Sequence, residues 1–242
     1  MLTDFAFWMS TPNLDLLEMA ANAGFRRVVL DIEHNGFSPD RREALVVAAR
    51  ALGLSVCAKI EAPEPVWVQR AVDLGVDAVI IPHAGSFART EAALQTCKFP
   101  PLGTRSYAAG RSARFSAPDA DYFARQNRDV LCLPMIETAE AFDDVDAILA
   151  SPLVDGIFVG PFDLALTRGR ATYAFGDDDR ADIAHLAARA AAAGKPWWMP
   201  TWRPEEQAFA SLHGAGVRVV AAEHQLLSLG MASVLEAISA GQ

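Results

Sequence analysis

Apolar runs of strand length alternate with amphipathic helical stretches from one end of this chain to the other, in eight successive strand–helix units. No other feature constrains the fold as tightly. Consecutive parallel strands need a long crossover between them, and a helix after every strand supplies it. Eight units in 242 residues are the content of a single (β/α)8 TIM barrel spanning residues 1–242. An open doubly wound sheet would carry a Gly-rich turn after its first strand, and this chain has none there.

The strands are expected at Phe5–Met9, Arg27–Ile32, Leu54–Ile60, Asp77–Pro82, Val130–Met135, Val154–Val159, Pro196–Met199 and Val217–Ala222. Helices fall between them: one to Ala23 with Ser10 as its N-cap and Gly24 after it, then Asp40–Leu52, Pro65–Leu74, Ser86–Thr96, Tyr122–Gln126, Ile183–Ala193, Glu205–His213 and Leu226–Ala240. An amphipathic helical segment also separates the fifth and sixth strands. Residues 97–119 read as a long functional loop and Thr167–Asp179 as a shorter one.

A net charge of −9 and a pI near 5.0 exclude the basic face that nucleic acid requires. No run is long enough for a membrane span, the first residues lack the basic start of a signal peptide, and a cytoplasmic enzyme is expected. Cys57, Cys97 and Cys132 lie in or beside apolar runs, which predicts buried reduced thiols.

In a barrel, residues just past each strand converge on one mouth, where chemistry is done. The residues delivered there are Asp31, Glu33 and His34, Lys59 and Glu61, His83, Glu137, Asp163, Trp202 and Arg203, and Glu223 and His224. Glu137 and Asp163 follow consecutive strands. Hard oxygen ligands without His or Cys beside them suit Mg²⁺ or Mn²⁺ better than zinc. The same two acids also fit helix N-termini stabilised by the dipole. His34 is either a general acid–base or a loop histidine packed on the barrel top. Lys59 either balances an anionic substrate or pairs with Glu61 or Asp31. Trp197, Trp198 and Trp202 read as core or rim packing. The loops after strands seven and eight lack the glycines of a phosphate cup, which favours a substrate without phosphate.

The segments AGFRRVVLDIEHN, AVDLGVDAVIIP, KFPPLGTRS…GRSARF, PMIETAEAFDDVDAILASPLVDGIFVGPFDLAL and GVRVVA, in this order, resemble the HpcH/HpaI aldolase family over nearly the whole chain. The resemblance implies a metal-dependent class II aldolase that makes or cleaves 4-hydroxy-2-oxo acids through a pyruvate-type enolate. It implies Glu137 and Asp163 as ligands of the divalent ion, His34 as acid–base, and Asp31 and Asp73 as acids that orient His34 or water. It also implies that the loop at Gly160 and Pro161 presents backbone N–H groups to the substrate carboxylate, and that the chain forms a homo-oligomer through its C-terminal helices. Lys59 stands where the family usually has arginine, fourteen residues before Asp73, and His83 where it commonly has an apolar residue. EHQ after the eighth strand is likewise not the family's usual sequence. With Lys59 as the second charge, His83, Trp202 and His224 are the candidates for contact with the aldehyde half. A related reading is a citrate synthase-like condensation of oxaloacetate with acetyl-CoA. A Schiff-base enzyme using Lys59, which borohydride would trap, and a silent binding barrel are the remaining ones.

Overall fold

The computed structural model describes residues 5–240, and its strands close into one parallel barrel in the order β1 to β8. The strands are β1 (Phe5–Met9), β2 (Arg27–Asp31), β3 (Ser55–Lys59), β4 (Ala78–Ile81), β5 (Leu131–Ile136), β6 (Ile157–Val159), β7 (Trp197–Pro200) and β8 (Val217–Ala222). Between them run α1 (Leu14–Asn22), α2 (Pro39–Ala51), α3 (Pro65–Leu74), α4 (Phe87–Thr96), α5 (Tyr122–Asp129), α6 (Ala139–Asp143), α7 (Val145–Ala150), α8 (Pro161–Thr167), α9 (Asp177–Ala192) and α10 (Pro204–Leu212), with α11 (Glu223–Ala240) last. No helix among the described residues is long and apolar enough to cross a membrane.

Side chains alternate across each strand, so every strand feeds two cores. Outward residues such as Phe7, Val28, Leu30, Val56 and Val79 pack under the helices against Leu17, Leu45, Val68 and Leu94. Inward residues, among them Ala6, Val29, Cys57, Ile80, Leu133, Met135, Phe158, Trp198 and Val219, fill the barrel. Each fully buried large apolar side chain contributes about 1.5–3 kcal/mol. One more inward step along the strands places Trp8, Asp31 and Lys59 at the C-terminal ends, and continuing that alternation past β5, β6 and β7 reaches Glu137, Gly160 and Trp202.

Several expected boundaries move. Asn13, not Ser10, caps α1, its side chain accepting from the Leu16 N–H. Ser10 instead gives its backbone N–H to Glu223 at 2.9 Å. The run from Val154 is cut to Ile157–Val159 because Asp155 turns its carboxylate back onto the Cys132 N–H at 2.7 Å. The segment before it is two short helices. A helix also begins at Pro161, directly after β6, and α9 starts six residues before Ile183. Its start is held by Asp179, which accepts from the Gly176 and Ala174 N–H groups. Glu223 and His224 lie in the first turn of α11 and not in a loop. The three thiols are free and buried.

Candidate active site

Register builds the polar side of the mouth. β2 and β3 pair with Asp31 opposite Lys59, so their last inward side chains meet as carboxylate and ammonium, Nζ to Oδ1 3.6 Å. Lys59 makes a second, shorter ion pair with Glu33 Oε2. All three side chains are more than nine-tenths shielded, which deepens the attraction. Asn35 adds an N–H to Asp31 at 3.2 Å. Of the two partners the sequence offers Lys59, the structure selects Asp31; Glu61 pairs with Arg42. His34 stands at the rim, 58% exposed, its Nε2 3.4 Å from Glu33 Oε2.

β4 and β5 complete that side. His83 follows the strand with φ at +49°, which a residue with a side chain rarely adopts. The turn aims its own N–H at Glu137 Oε1, 2.5 Å away. Its ring then spans the two acids: Nε2 is 2.5 Å from Glu33 Oε1 and Nδ1 is 3.6 Å from Glu137 Oε1. Glu33 therefore joins Lys59, His34 and His83. Sequence reasoning placed it on the rim without a role, although it lies two residues past the inward Asp31 and so shares its face.

Glu137 is 1% exposed. Burial pushes its carboxyl above the usual range, while the His83 N–H and the Lys59 and His83 charges pull the other way. Its second oxygen faces Gly160, where a Cβ would sit 2.8 Å from Oε2 and 2.7 Å from the Glu137 Cβ. Thr167 Oγ1 donates to the Glu137 carbonyl at 3.1 Å. Helix α8 thus touches Glu137 through both of its ends, and its exposed first turn carries Asp163. Glu137 and Asp163 offer hard oxygens only, and among the described residues no group of three or more His, Cys, Asp or Glu side chains forms a protein-only metal cage. One or two carboxylates with water and substrate filling the remaining positions is how Mg²⁺ is held; structural zinc is enclosed by four protein ligands. The donors fit the former.

The opposite side of the mouth is aromatic. Trp8 meets Trp202 edge to face at 6.4 Å between centroids and Phe158 at 6.2 Å. Lys59 Nζ lies 5.9 Å from the centre of the Trp8 ring, within reach of a cation–π attraction between the two sides. Trp8 went unnoticed in the sequence, yet it is the inward residue after Ala6. Trp198 lies deeper in the barrel, with Arg27 over its ring, and Trp197 is buried on the outer side.

Asp73 sits near the C-terminal end of α3. Its carboxylate accepts from Gln69 and lines an outer cleft with Arg42, Arg70 and Phe115. Gly160 donates its own N–H to the Ile136 carbonyl at 3.1 Å and Pro161 has none, which leaves the N–H groups of Phe162 and Asp163, in the first turn of α8, as the donors of this loop. The role of Gly160 is the room it leaves beside Glu137. His224 is exposed on the first turn of α11.

A closed parallel barrel whose mouth gathers buried carboxylates, a pinned lysine and two histidines defines an enzyme of the (β/α)8 class. Residues 4–197 match the HpcH/HpaI aldolase/citrate lyase family, and the chain belongs to that family. It is 35% identical over 192 residues to the 5-keto-4-deoxy-D-glucarate aldolase of Escherichia coli strain ATCC 8739, covering 78% of this chain and 74% of the relative. Among solved structures, an HpcH/HpaI aldolase from Desulfitobacterium hafniense DCB-2 superposes with a TM-score of 0.90 at 24% identity, covering 98% of this chain and 92% of that one. The citrate synthase SbnG superposes at 0.88 with 20% identity, covering 99% and 94%.

Proposed function

We propose that this chain is a class II aldolase that makes and cleaves 4-hydroxy-2-oxo acids, with a 2-oxo acid such as pyruvate as one half and an aldehyde as the other. The observation that carries the reading is the Glu137 carboxylate, buried, clamped at one oxygen by the His83 N–H and facing Gly160 with the other, beside a lysine fixed between two acids.

Glu137 and Asp163 would hold the divalent ion, Mg²⁺ or Mn²⁺, which when bound supplies a Lewis acid for the 2-oxo acid. Lys59 brings a fixed positive charge to the negative charge that develops on the 2-oxo oxygen during C3–C4 cleavage. Its ion pairs with Asp31 and Glu33 set its position before substrate arrives. They also leave its amine engaged, which disfavours a Schiff base. His34, exposed at the rim with Glu33 behind it, takes the proton from the C4 hydroxyl, and the C3–C4 electron pair moves into the 2-oxo half as the aldehyde forms. In the reverse direction the same imidazole returns the proton.

The enzyme works as a homo-oligomer in the cytoplasm. Leu227, Leu229, Met231, Val234, Leu235 and Ile238 all stand exposed on α11, more apolar surface than a lone chain leaves in water. Sedimentation at micromolar concentration is expected to give a mass well above 26.0 kDa, and a monomer alone would refute this part. The reaction is tested by retro-aldol turnover of a 4-hydroxy-2-oxo acid. EDTA is expected to abolish it and Mg²⁺ or Mn²⁺ to restore it; full activity in the chelated protein would remove the class II reading.

A further inference from the structure

The mouth is divided into two unlike halves. Most of its charged side chains come from β2 to β5, where Asp31, Glu33, Lys59, His83 and Glu137 are linked into one network; Asp163 stands past β6 and the buried Glu223 past β8. On the other side stand Trp8 after Ala6 on β1 and Trp202 just past β7, both partly buried and both packed on the barrel interior through Phe158 and its neighbours. Their planes are 87° apart, so the two indoles form a corner and not a flat lid. Trp202 is anchored from behind: its backbone N–H donates to the buried Glu206 at 2.7 Å. The guanidinium next to it, Arg203, is also committed, to Glu206 at 2.7 Å and Glu205 at 3.7 Å. That side therefore offers two indole surfaces, with Arg203 held by its own neighbours and Glu223, past β8, taken up by the Ser10 and Thr11 N–H groups.

Resting on the aldolase reading, we infer that the aldehyde half of the substrate lies against Trp8 and Trp202, and that this enzyme takes aromatic and other flat apolar aldehydes in preference to polyhydroxylated ones. The 2-oxo acid half is claimed by the charged side, whose Lys59 Nζ stands 5.9 Å from the centre of the Trp8 ring and so sets the distance between the two halves. An aryl ring gains edge or face contacts from both indoles, whereas hydroxyl groups pressed there lose water and can regain at most an indole N–H. In the synthetic direction the methyl carbon of the 2-oxo acid loses a proton and bonds to the aldehyde carbon, and the aldehyde oxygen takes up a proton. Atoms balance, and no oxidant or reductant is needed.

The test compares benzaldehyde with glyceraldehyde as acceptors for pyruvate, with Mg²⁺ present and kcat/KM as the readout. Wild-type enzyme is expected to favour benzaldehyde by at least about tenfold, the discrimination an apolar pocket ordinarily gives. Trp202→Ala is expected to bring the ratio near one, and Trp202→Phe to keep most of it. Thermal unfolding checks that each variant is folded; should the alanine variant fail that check, Trp202→Leu takes its place. Equal or better use of glyceraldehyde by wild type, or an unchanged ratio in a folded Trp202→Ala or Trp202→Leu protein, would overturn the inference. A parallel measurement of deuterium exchange into the pyruvate methyl group separates the two levels. Exchange without aromatic preference sinks this inference and leaves the aldolase reading standing, whereas no exchange and no adduct sinks both.

Discussion

Adding one methyl group at Gly160 tests how tightly the acid site is built. Gly160 has φ −103° and ψ 85°, within reach of any residue, so Gly160→Ala carries no left-handed strain and its cost is steric. The new Cβ would lie 2.6 Å from Met135 Cε, 2.7 Å from Glu137 Cβ and 2.8 Å from Glu137 Oε2. The methionine methyl is the end of a flexible chain and can swing aside. The Glu137 Cβ is bound to the backbone of β5's end and must retreat by about 0.7 Å to reach ordinary contact. Overpacking of this kind costs about 1–3 kcal/mol, or roughly 2–12 °C in Tm for a domain of this size. The same shift draws the carboxylate off the His83 N–H and away from α8, and a displacement near 1 Å at a reacting centre costs about 10²-fold in rate. Calorimetry, Mg²⁺ titration and turnover are read together, with Gly176→Ala as control, where nothing lies within 4 Å of the added Cβ. Loss of metal affinity and of turnover by a folded Gly160→Ala protein is expected. Wild-type values for both would show that Glu137 is not held as described.

Lys59→Ala leaves Asp31 and Glu33 buried without their cation, and is expected to lose activity and about 3–5 kcal/mol of stability; Lys59→Arg is expected to keep or raise turnover, because a guanidinium adds the two-pronged contact lysine lacks. A Lys59→Ala enzyme as active as wild type would contradict the role given to the ammonium. Glu223 accepts from the Ser10 and Thr11 N–H groups at 2.9 and 3.0 Å and ties the start of α11 to the loop after β1, so Glu223→Ala is expected to lower stability by about 1–3 kcal/mol, measurable by urea unfolding. Burial pushes the Cys57 thiol from 9.0 up to about 12, so its contribution to stability is present below pH 9 and is lost as pH rises toward 12. Because all three thiols are buried, native protein at pH 8 is expected to resist iodoacetamide at Cys57, Cys97 and Cys132, with all three labelled only after denaturation; rapid native labelling at Cys57 would show the barrel interior to be open.

The eight strands were legible because strands covered on both faces read as continuous apolar runs. Where the reading slipped, a local interaction overrode the run. Val154 looks like strand, but Asp155 and Gly156 turn there, the glycine lying so close to the Pro196 carbonyl that a Cβ would meet it at 2.5 Å. The acidic stretch at the start of α9 looks like loop, yet Asp179 uses its charge to cap the helix. At the site, strand ends announced Asp31, Lys59 and Glu137, because alternation and register follow from spacing. The Lys59–Asp31 pair was among the partners the sequence offers, but the rest of what joins them did not follow. Glu33 as the shared partner of Lys59 and two histidines depends on the path of the loop after β2, and the turn of His83 onto Glu137 depends on a positive φ no residue type signals.

The central claim is that Glu137 anchors a metal-dependent site that activates the methyl group of a 2-oxo acid. It is tested most directly by proton NMR of pyruvate in D2O with the purified protein. Loss of the methyl signal is expected with Mg²⁺ or Mn²⁺ and wild-type protein, and it should stop with EDTA and in Glu137→Gln. Exchange that continues at the wild-type rate in Glu137→Gln, or that never occurs with metal present, would contradict the account.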